Sequence, residues 1–345
     1  MRKFKDSEYA LYKQICSMRQ DGLKKSLSEM LKEKYKEVIE TDKYIYAIGN
    51  IPITLVAHMD TVFHFPPREF FYDREANVVW SPEGAGADDR AGIFAILFIL
   101  KSHFRPSIIF TTDEEKGCIG ADGLAYDIPM ALTETKYVIQ LDRRGKEDCV
   151  FYDCDNKDFE KYVEKFGFKT AIGSFSDISV ICPTWKIAGV NLSVGYFDEH
   201  TSSERLYVSY LFSTISKVIR MLNDAENSPI FEYIENPYNK FFYQKYGYGY
   251  GAPTGSGFMG TDTPGVEIEK CEHCGNYFDE YEMFPVKCGD KLELYCCDCI
   301  ADDHIHWCKY CQDAFYAEGA EVLCPDCVKI IKGALDSDDV REFTY

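Results

Sequence analysis

The chain has 345 residues, 46% of them hydrophobic and 28% charged, with a formal net charge of -19. That length holds one substantial domain plus a small one. The acidic excess argues against nucleic-acid binding, which needs clustered Lys and Arg, and most of these carboxylates read as solvated surface.

The start, Met1-Arg2-Lys3-Phe4-Lys5-Asp6, leads into no apolar stretch long enough for a signal peptide or a membrane span. The longest apolar run, Ala91 to Leu100, reads as a buried helix, so a cytoplasmic protein without membrane contact is expected. Residues 7–38 predict two helices, with Leu11, Ile15, Met18, Leu23, Leu27 and Leu31 mostly three and four apart. Beyond Asn50, β-rich runs at 53–57, 107–111, 137–141 and 190–194 alternate with helical stretches after Asp89, at 158–165 and at 203–222. Alternation of this kind predicts an α/β three-layer sandwich around a mostly parallel central sheet, spanning residues 1–226. Residues 227–268 are rich in Tyr, Gly and Pro and read as a linker. Residues 269–345 form a small cysteine-rich domain.

The unusual polar residues stand at strand ends, where ligands collect in open α/β sheets. The run Ile53 to Ala57 leads into His58-Met59-Asp60, and Ile108 to Thr112 into Asp113-Glu114-Glu115. Tyr137 to Leu141 ends in Asp142, and Val190 to Val194 leads by a short loop to His200. Gly86-Ala87-Asp88-Asp89-Arg90-Ala91-Gly92 lies at the mouth of a helix. Imidazole and carboxylate ligands suit zinc or cobalt. A carboxylate two residues after a ligating His can hold its second nitrogen. Of the adjacent Glu114 and Glu115, one can bind metal while the other takes a proton. A lone His at a strand end is usually an ordinary loop residue, so the argument rests on five sites pointing at one end of one sheet. Asp89 and Asp113 read as helix caps or solvated charges. Arg143 and Arg144 suit a substrate carboxylate but equally well a surface ion pair.

Taken in order, these motifs (Val56–Val62, Gly86–Gly92, Asp113–Gly117, Leu141-Asp142 and Glu199–Glu204) resemble those of the two-zinc exopeptidases. The compact aminopeptidase-Y-like and leucyl-aminopeptidase-like branch is the nearer likeness, with local motifs also similar to peptidase T. Only 57 residues separate Asp142 from His200, too few for the lid domain of the other branch. The resemblance implies that Asp88 bridges two zinc ions, with cobalt or manganese able to replace them. His58 and Asp142 would complete one shell, and Glu115 and His200 the other. It further implies that Glu114 is the general base for a metal-bridging water and that Asp60 orients His58. The expected reaction is hydrolysis of an amide bond in a small peptide or aminoacyl substrate, as an aminopeptidase. A deacylase or carboxypeptidase on the same scaffold is the alternative. From another class comes a catalytically silent zinc-binding interaction protein, against which the intact Glu114 argues.

Ten of the fifteen cysteines fall between Cys271 and Cys327, eight of them as CxxC pairs: Cys271/Cys274, Cys296/Cys299, Cys308/Cys311 and Cys324/Cys327. Two sulfurs spaced so reach one tetrahedral metal, so the four pairs predict two structural zinc sites resembling zinc ribbons, paired sequentially. Cross-braced pairing, as in RING-like modules, is the alternative. From residue 271 onward there are 17 acidic residues against 6 Lys and Arg, which favours a protein partner over nucleic acid.

Overall fold

Two helices open the chain in the computed structural model, α1 (Asp6–Cys16) and α2 (Gln20–Lys34). Both carry acids in the first turn and lysine in the last, matching the helix dipole. Next come β1 (Val38–Glu40), β2 (Tyr44–Ala47), β3 (Ile51–His58), β4 (Phe71–Asp73), β5 (Val78–Trp80), α3 (Ala87–Ile99), β6 (Pro106–Thr111) and α4 (Ile119–Asp127). They are followed by β7 (Val138–Arg143), β8 (Asp148–Val150), α5 (Lys157–Glu164), β9 (Lys169–Thr170), α6 (Asp177–Trp185), β10 (Gly189–Ser193), β11 (Tyr196–Phe197), β12 (Arg205–Tyr207) and α7 (Val208–Asn223). The structure describes residues 2–128, 134–173 and 175–235, then 268–275, 277–279, 283–289, 291–296, 299, 305–308, 314–317, 323–325 and 328.

Eight strands form one sheet in the order β1-β2-β6-β3-β7-β10-β8-β9. Its middle, β6-β3-β7-β10, is parallel, and β2 and β8 pair antiparallel at either side of it. Parallel strands are covered on both faces, hence their largely apolar runs. Side chains alternate between the faces. Leu55, Ala57, Ile108, Phe110 and Leu141 join the larger core with α1, α2, α3, α5 and α7, while Val56, Ile109 and Val138 pack with Leu124 of α4 and Trp185 of α6. This is the expected α/β sandwich. A second, antiparallel sheet runs β11-β12-β5-β4.

Three local features differ from the sequence reading. The helix expected from Ser203 begins at Val208, because Arg205–Tyr207 is drawn out to pair with Val78–Trp80. Helices α4 and α6 were not expected. Gly120 and Gly123 weaken helix propensity in one and Pro183 in the other, but Leu124, Ile181 and Trp185 bury against the sheet. The first compact unit also runs past 226, to Glu235. Phe231 lies among Tyr137, Phe159 and Tyr162, and its N–H bonds the Lys136 carbonyl. Residues 227–235 thus complete this unit, and most of the expected linker lies outside the described residues.

The second unit, Asn236–Tyr345, holds β13 (Ile268–Lys270) paired with β14 (Tyr277–Asp279). It also holds β15 (Met283–Cys288), β16 (Lys291–Cys296), β17 (Ile305–Trp307) and β18 (Ala314–Tyr316), in the order β16-β15-β18-β17. None of the described helices is long and apolar enough to cross a membrane.

Candidate metal centre

Register brings the site together. In the parallel pair β3/β6, His58 stands beside Thr111, and in β3/β7 Val56 stands beside Gln140, so His58, the Asp113–Glu115 turn and Asp142 share one level. Asp142 is the penultimate residue of β7 rather than the residue after it. Asp88 and Asp89 enter α3 with non-helical backbone, joined by a cis peptide bond. His200 arrives on the connection between β11 and β12.

The Asp88 carboxylate lies between two imidazoles. Its Oδ1 is 3.0 Å from His58 Nε2 and its Oδ2 is 3.3 Å from His200 Nε2. His58 Nε2 is also 3.4 Å from Asp142 Oδ1, and His200 Nε2 is 3.0 Å from Glu115 Oε1. His58, Asp88 and Asp142 therefore form one cluster of ligand atoms, and Asp88, Glu115 and His200 another, with Asp88 common to both. Ligands about 2.0–2.1 Å from a tetrahedral zinc stand roughly 3.4 Å apart. The observed separations of 3.0–3.4 Å fit a divalent ion in each cluster.

The supporting contacts are dense. His58 Nδ1 is 3.2 Å from Asp60 Oδ1. Asp60 also accepts the N–H groups of Glu114 and Glu115 at 3.0 and 3.1 Å, so one carboxylate steadies both an imidazole and the turn bearing two glutamates. Asp142 accepts from Gln140 Nε2, Ser176 Oγ and Tyr196 OH at 3.0, 2.8 and 3.2 Å. Glu114 Oε2 stands 3.9 Å from His58 Nε2, and the Cys118 thiol donates to Glu114 Oε1 at 3.7 Å.

Asp89 is a cap, as one expectation had it, but not a solvated one. It is fully buried and accepts the N–H groups of Gly92 and His58. Asp113 takes Lys116 Nζ at 2.7 Å. Buried polar residues that escaped the sequence reading include Gln140, Ser176, Asp177 and Glu204. Gln140 interrupts an apolar strand, and Glu204 closes the last motif. Those were the available signals, whereas Ser176 and Asp177 gave none.

Electrostatics follow from crowding carboxylates out of water. Burial, then Asp88, raises the pKa of Asp142, and the same pair of causes raises Glu115. Burial raises Glu114 well above the ordinary carboxylate range. Burial alone would lower the pKa of both imidazoles. The carboxylates outweigh it, Asp142 foremost at His58 and Asp88 foremost at His200, so His58 is raised well above its usual value and His200 to about 12. The cluster demands positive charge, and metal binding would replace these protons.

Residues 44–178 match peptidase family M28. The likeness to the two-zinc exopeptidase superfamily thus holds over the M28 region, which contains His58, Asp60, Asp88, Glu114, Glu115 and Asp142 and ends before His200. The fold resembles aminopeptidase PepT from Bacillus cereus, at 16% identity and TM-score 0.52, covering 64% of this chain and 98% of that one. It resembles a tripeptidase from Staphylococcus aureus at 15% and 0.50, with the same coverage. A TET aminopeptidase from a marine-sediment Thaumarchaeota archaeon follows at 12% and 0.50, covering 63% and 97%. No curated protein sequence matches the chain.

In the C-terminal unit, the ligand atoms of Cys271, Cys274 and Cys299 lie within 4.8 Å of one another. Cys296 ends β16, and Cys308 and Cys324 are buried around Phe315. Cys311 and Cys327 lie outside the described residues.

Proposed function

We propose that the chain is a metal-dependent exopeptidase that releases the N-terminal residue of a small peptide or aminoacyl substrate. One observation carries this: the Asp88 carboxylate shared between two imidazole–carboxylate clusters, at 3.0 and 3.3 Å from His58 and His200. The match of the M28 region supports peptidase chemistry. Zinc is the metal this donor set suits best, with cobalt or manganese as substitutes. When bound, two such ions supply Lewis-acid polarisation of the scissile carbonyl and acidify the attacking water.

The chain's own residues do the rest. Asp88 would serve both ions, His58 and Asp142 one, Glu115 and His200 the other. Asp60 fixes the ring of His58 through Nδ1. Glu114 takes the proton from the attacking water and returns it to the leaving amine, and its buried setting raises its basicity for that task. Arg144 donates to Glu199, and Arg143 donates to the Ile172 carbonyl while its Nε has no hydrogen-bond partner among the described residues.

In the tail, the Cys271/Cys274/Cys299 cluster supports sequential pairing of the CxxC hooks around a structural zinc, with Cys296 as the fourth ligand. A second zinc would lie by Cys308 and Cys324, completed by Cys311 and Cys327. The acidic composition of residues 271–345 suits a protein partner.

The test is Glu114→Gln assayed on aminoacyl-anilides and N-acyl amino acids. Turnover should fall by roughly two to four orders of magnitude while metal analysis finds the same ion count as wild type. Wild-type turnover in the variant would remove Glu114 from the mechanism. Activity on N-acyl amino acids alone would replace the aminopeptidase reading with a deacylase or carboxypeptidase. No turnover of either by the metal-loaded wild type would leave a silent interaction protein.

A further inference from the structure

The hairpin of β11 and β12 carries His200 on its connection, residues 198–204, and it is tied to both ligand-bearing turns. At its foot, Tyr196 OH donates to Asp142 Oδ1 at 3.2 Å, and the Tyr196 carbonyl accepts Gly145 N–H at 2.9 Å. One residue before His200, Glu199 Oε1 accepts from Arg144 Nη1 at 2.9 Å, with the two side chains only 13% and 19% exposed. At the tip, His200 reaches Glu115 and Asp88. On the return, the fully buried Glu204 accepts the N–H groups of Gly86 and Asp88, at 2.5 and 3.0 Å.

This connection needs holding. Asp198 and His200 both sit in the left-handed backbone region, with φ of 57° and 63°, a conformation that non-glycine residues keep only when their surroundings impose it. Apolar packing does not impose it here, since the His200 side chain is 44% exposed. Polar contacts do. Glu199 anchors the segment two residues from Asp142, and Glu204 anchors the backbone of Asp88.

We propose that the β11–β12 hairpin is a clamp coupling the two metal positions, with Glu199 and Glu204 as positioning residues that ligate nothing themselves. The inference rests on the two-metal reading above. Releasing Glu199 would free His200 and weaken the ion held by Asp88, Glu115 and His200 more than the one held by His58 and Asp142. Releasing Glu204 would loosen Asp88 and weaken both.

The test is a cobalt titration of the chelated full-length chain, followed by absorption. Thiolate charge-transfer bands report the cysteine sites, while the weaker ligand-field bands report oxygen- and nitrogen-bound ions. Wild type should take up two of the latter. Arg144→Met, Glu199→Gln and their double variant should each weaken one of the two by roughly 10- to 100-fold. The double should be no worse than either single, because all three abolish the same ion pair. Melting of the chelated protein should barely change, separating positioning from fold maintenance. Glu204→Gln, of the same shape, should weaken both ions. If that variant does not fold, the Arg144–Glu199 set still decides. Variant titrations that overlay wild type, or additive losses in the double variant, would overturn the clamp alone. A wild type that binds no oxygen- and nitrogen-ligated cobalt would overturn the metal centre and the clamp with it.

Discussion

Asp177 illustrates, at the scale of one residue, what a dense acidic site costs the fold. It opens α6, is fully buried, and accepts Thr111 Oγ1 at Oδ2, while Oδ1 has no hydrogen-bond partner among the described residues. Burial pushes its pKa up to about 7, against the pull of His58. The folded chain therefore holds a proton that the unfolded chain releases near the ordinary Asp value of about 3.9. A raised folded pKa contributes stability at low pH, lost as pH rises from about 4 through 7. The chelated protein should lose on the order of a few kcal/mol from this group across that window. Asp177→Asn, neutral throughout, should flatten the loss. Urea denaturation at pH 5 and 7.5 checks this, and equal slopes for wild type and variant would contradict it.

At the scale of elements, α3 sets the distance between the halves of the site. Its residues Ile93, Phe94, Ala95 and Ile96 are all buried, so it has no solvent face to yield. Gly92 lies against β7 so closely that a Cβ there would overlap the Leu141 carbonyl oxygen and the Asp89 carboxylate. Only glycine permits that approach. Gly92→Ala should push α3 off β7, separating Asp88 from Asp142. The expected loss is at least the roughly 1–3 kcal/mol typical of an overpacked core, together with weaker metal retention. A urea midpoint and ion count equal to wild type would show that the helix has room to give.

For the whole molecule, the two compact units make the metal count divisible. A chain ending at residue 235 should hold two ions and keep activity on small substrates, against four ions in the full-length protein. Ending at 226 instead should destabilise the first unit by about 3–5 kcal/mol, the usual cost of losing a large buried aromatic. It deletes Phe231 from the Tyr137, Phe159 and Tyr162 cluster. Metal analysis and denaturation of both truncations give the comparison. Four ions in the 235-residue chain would refute zinc in the tail, and equal stability of the two truncations would refute the role of Phe231.

The central strands were legible because burial on both faces demands continuous apolar residues, as in Leu55 to Ala57 and Ile108 to Phe110. The polar residues at the ends of those runs stood out only as a set, since His58 or Glu114 alone at a strand end reads as an ordinary loop residue. Elements of ambiguous composition were not legible. Helix α6 with its proline and α4 with its glycines exist because the sheet gives Trp185 and Leu124 somewhere to bury, and the extension of Arg205–Tyr207 depends on a partner more than a hundred residues away. The supports of the site, Ser176 on Asp142 and Glu204 on the Asp88 amide, were decided by tertiary structure alone. A hydroxyl or carboxylate in a loop carries the same local signal whether it meets water or a buried partner, and only the folded chain determines which.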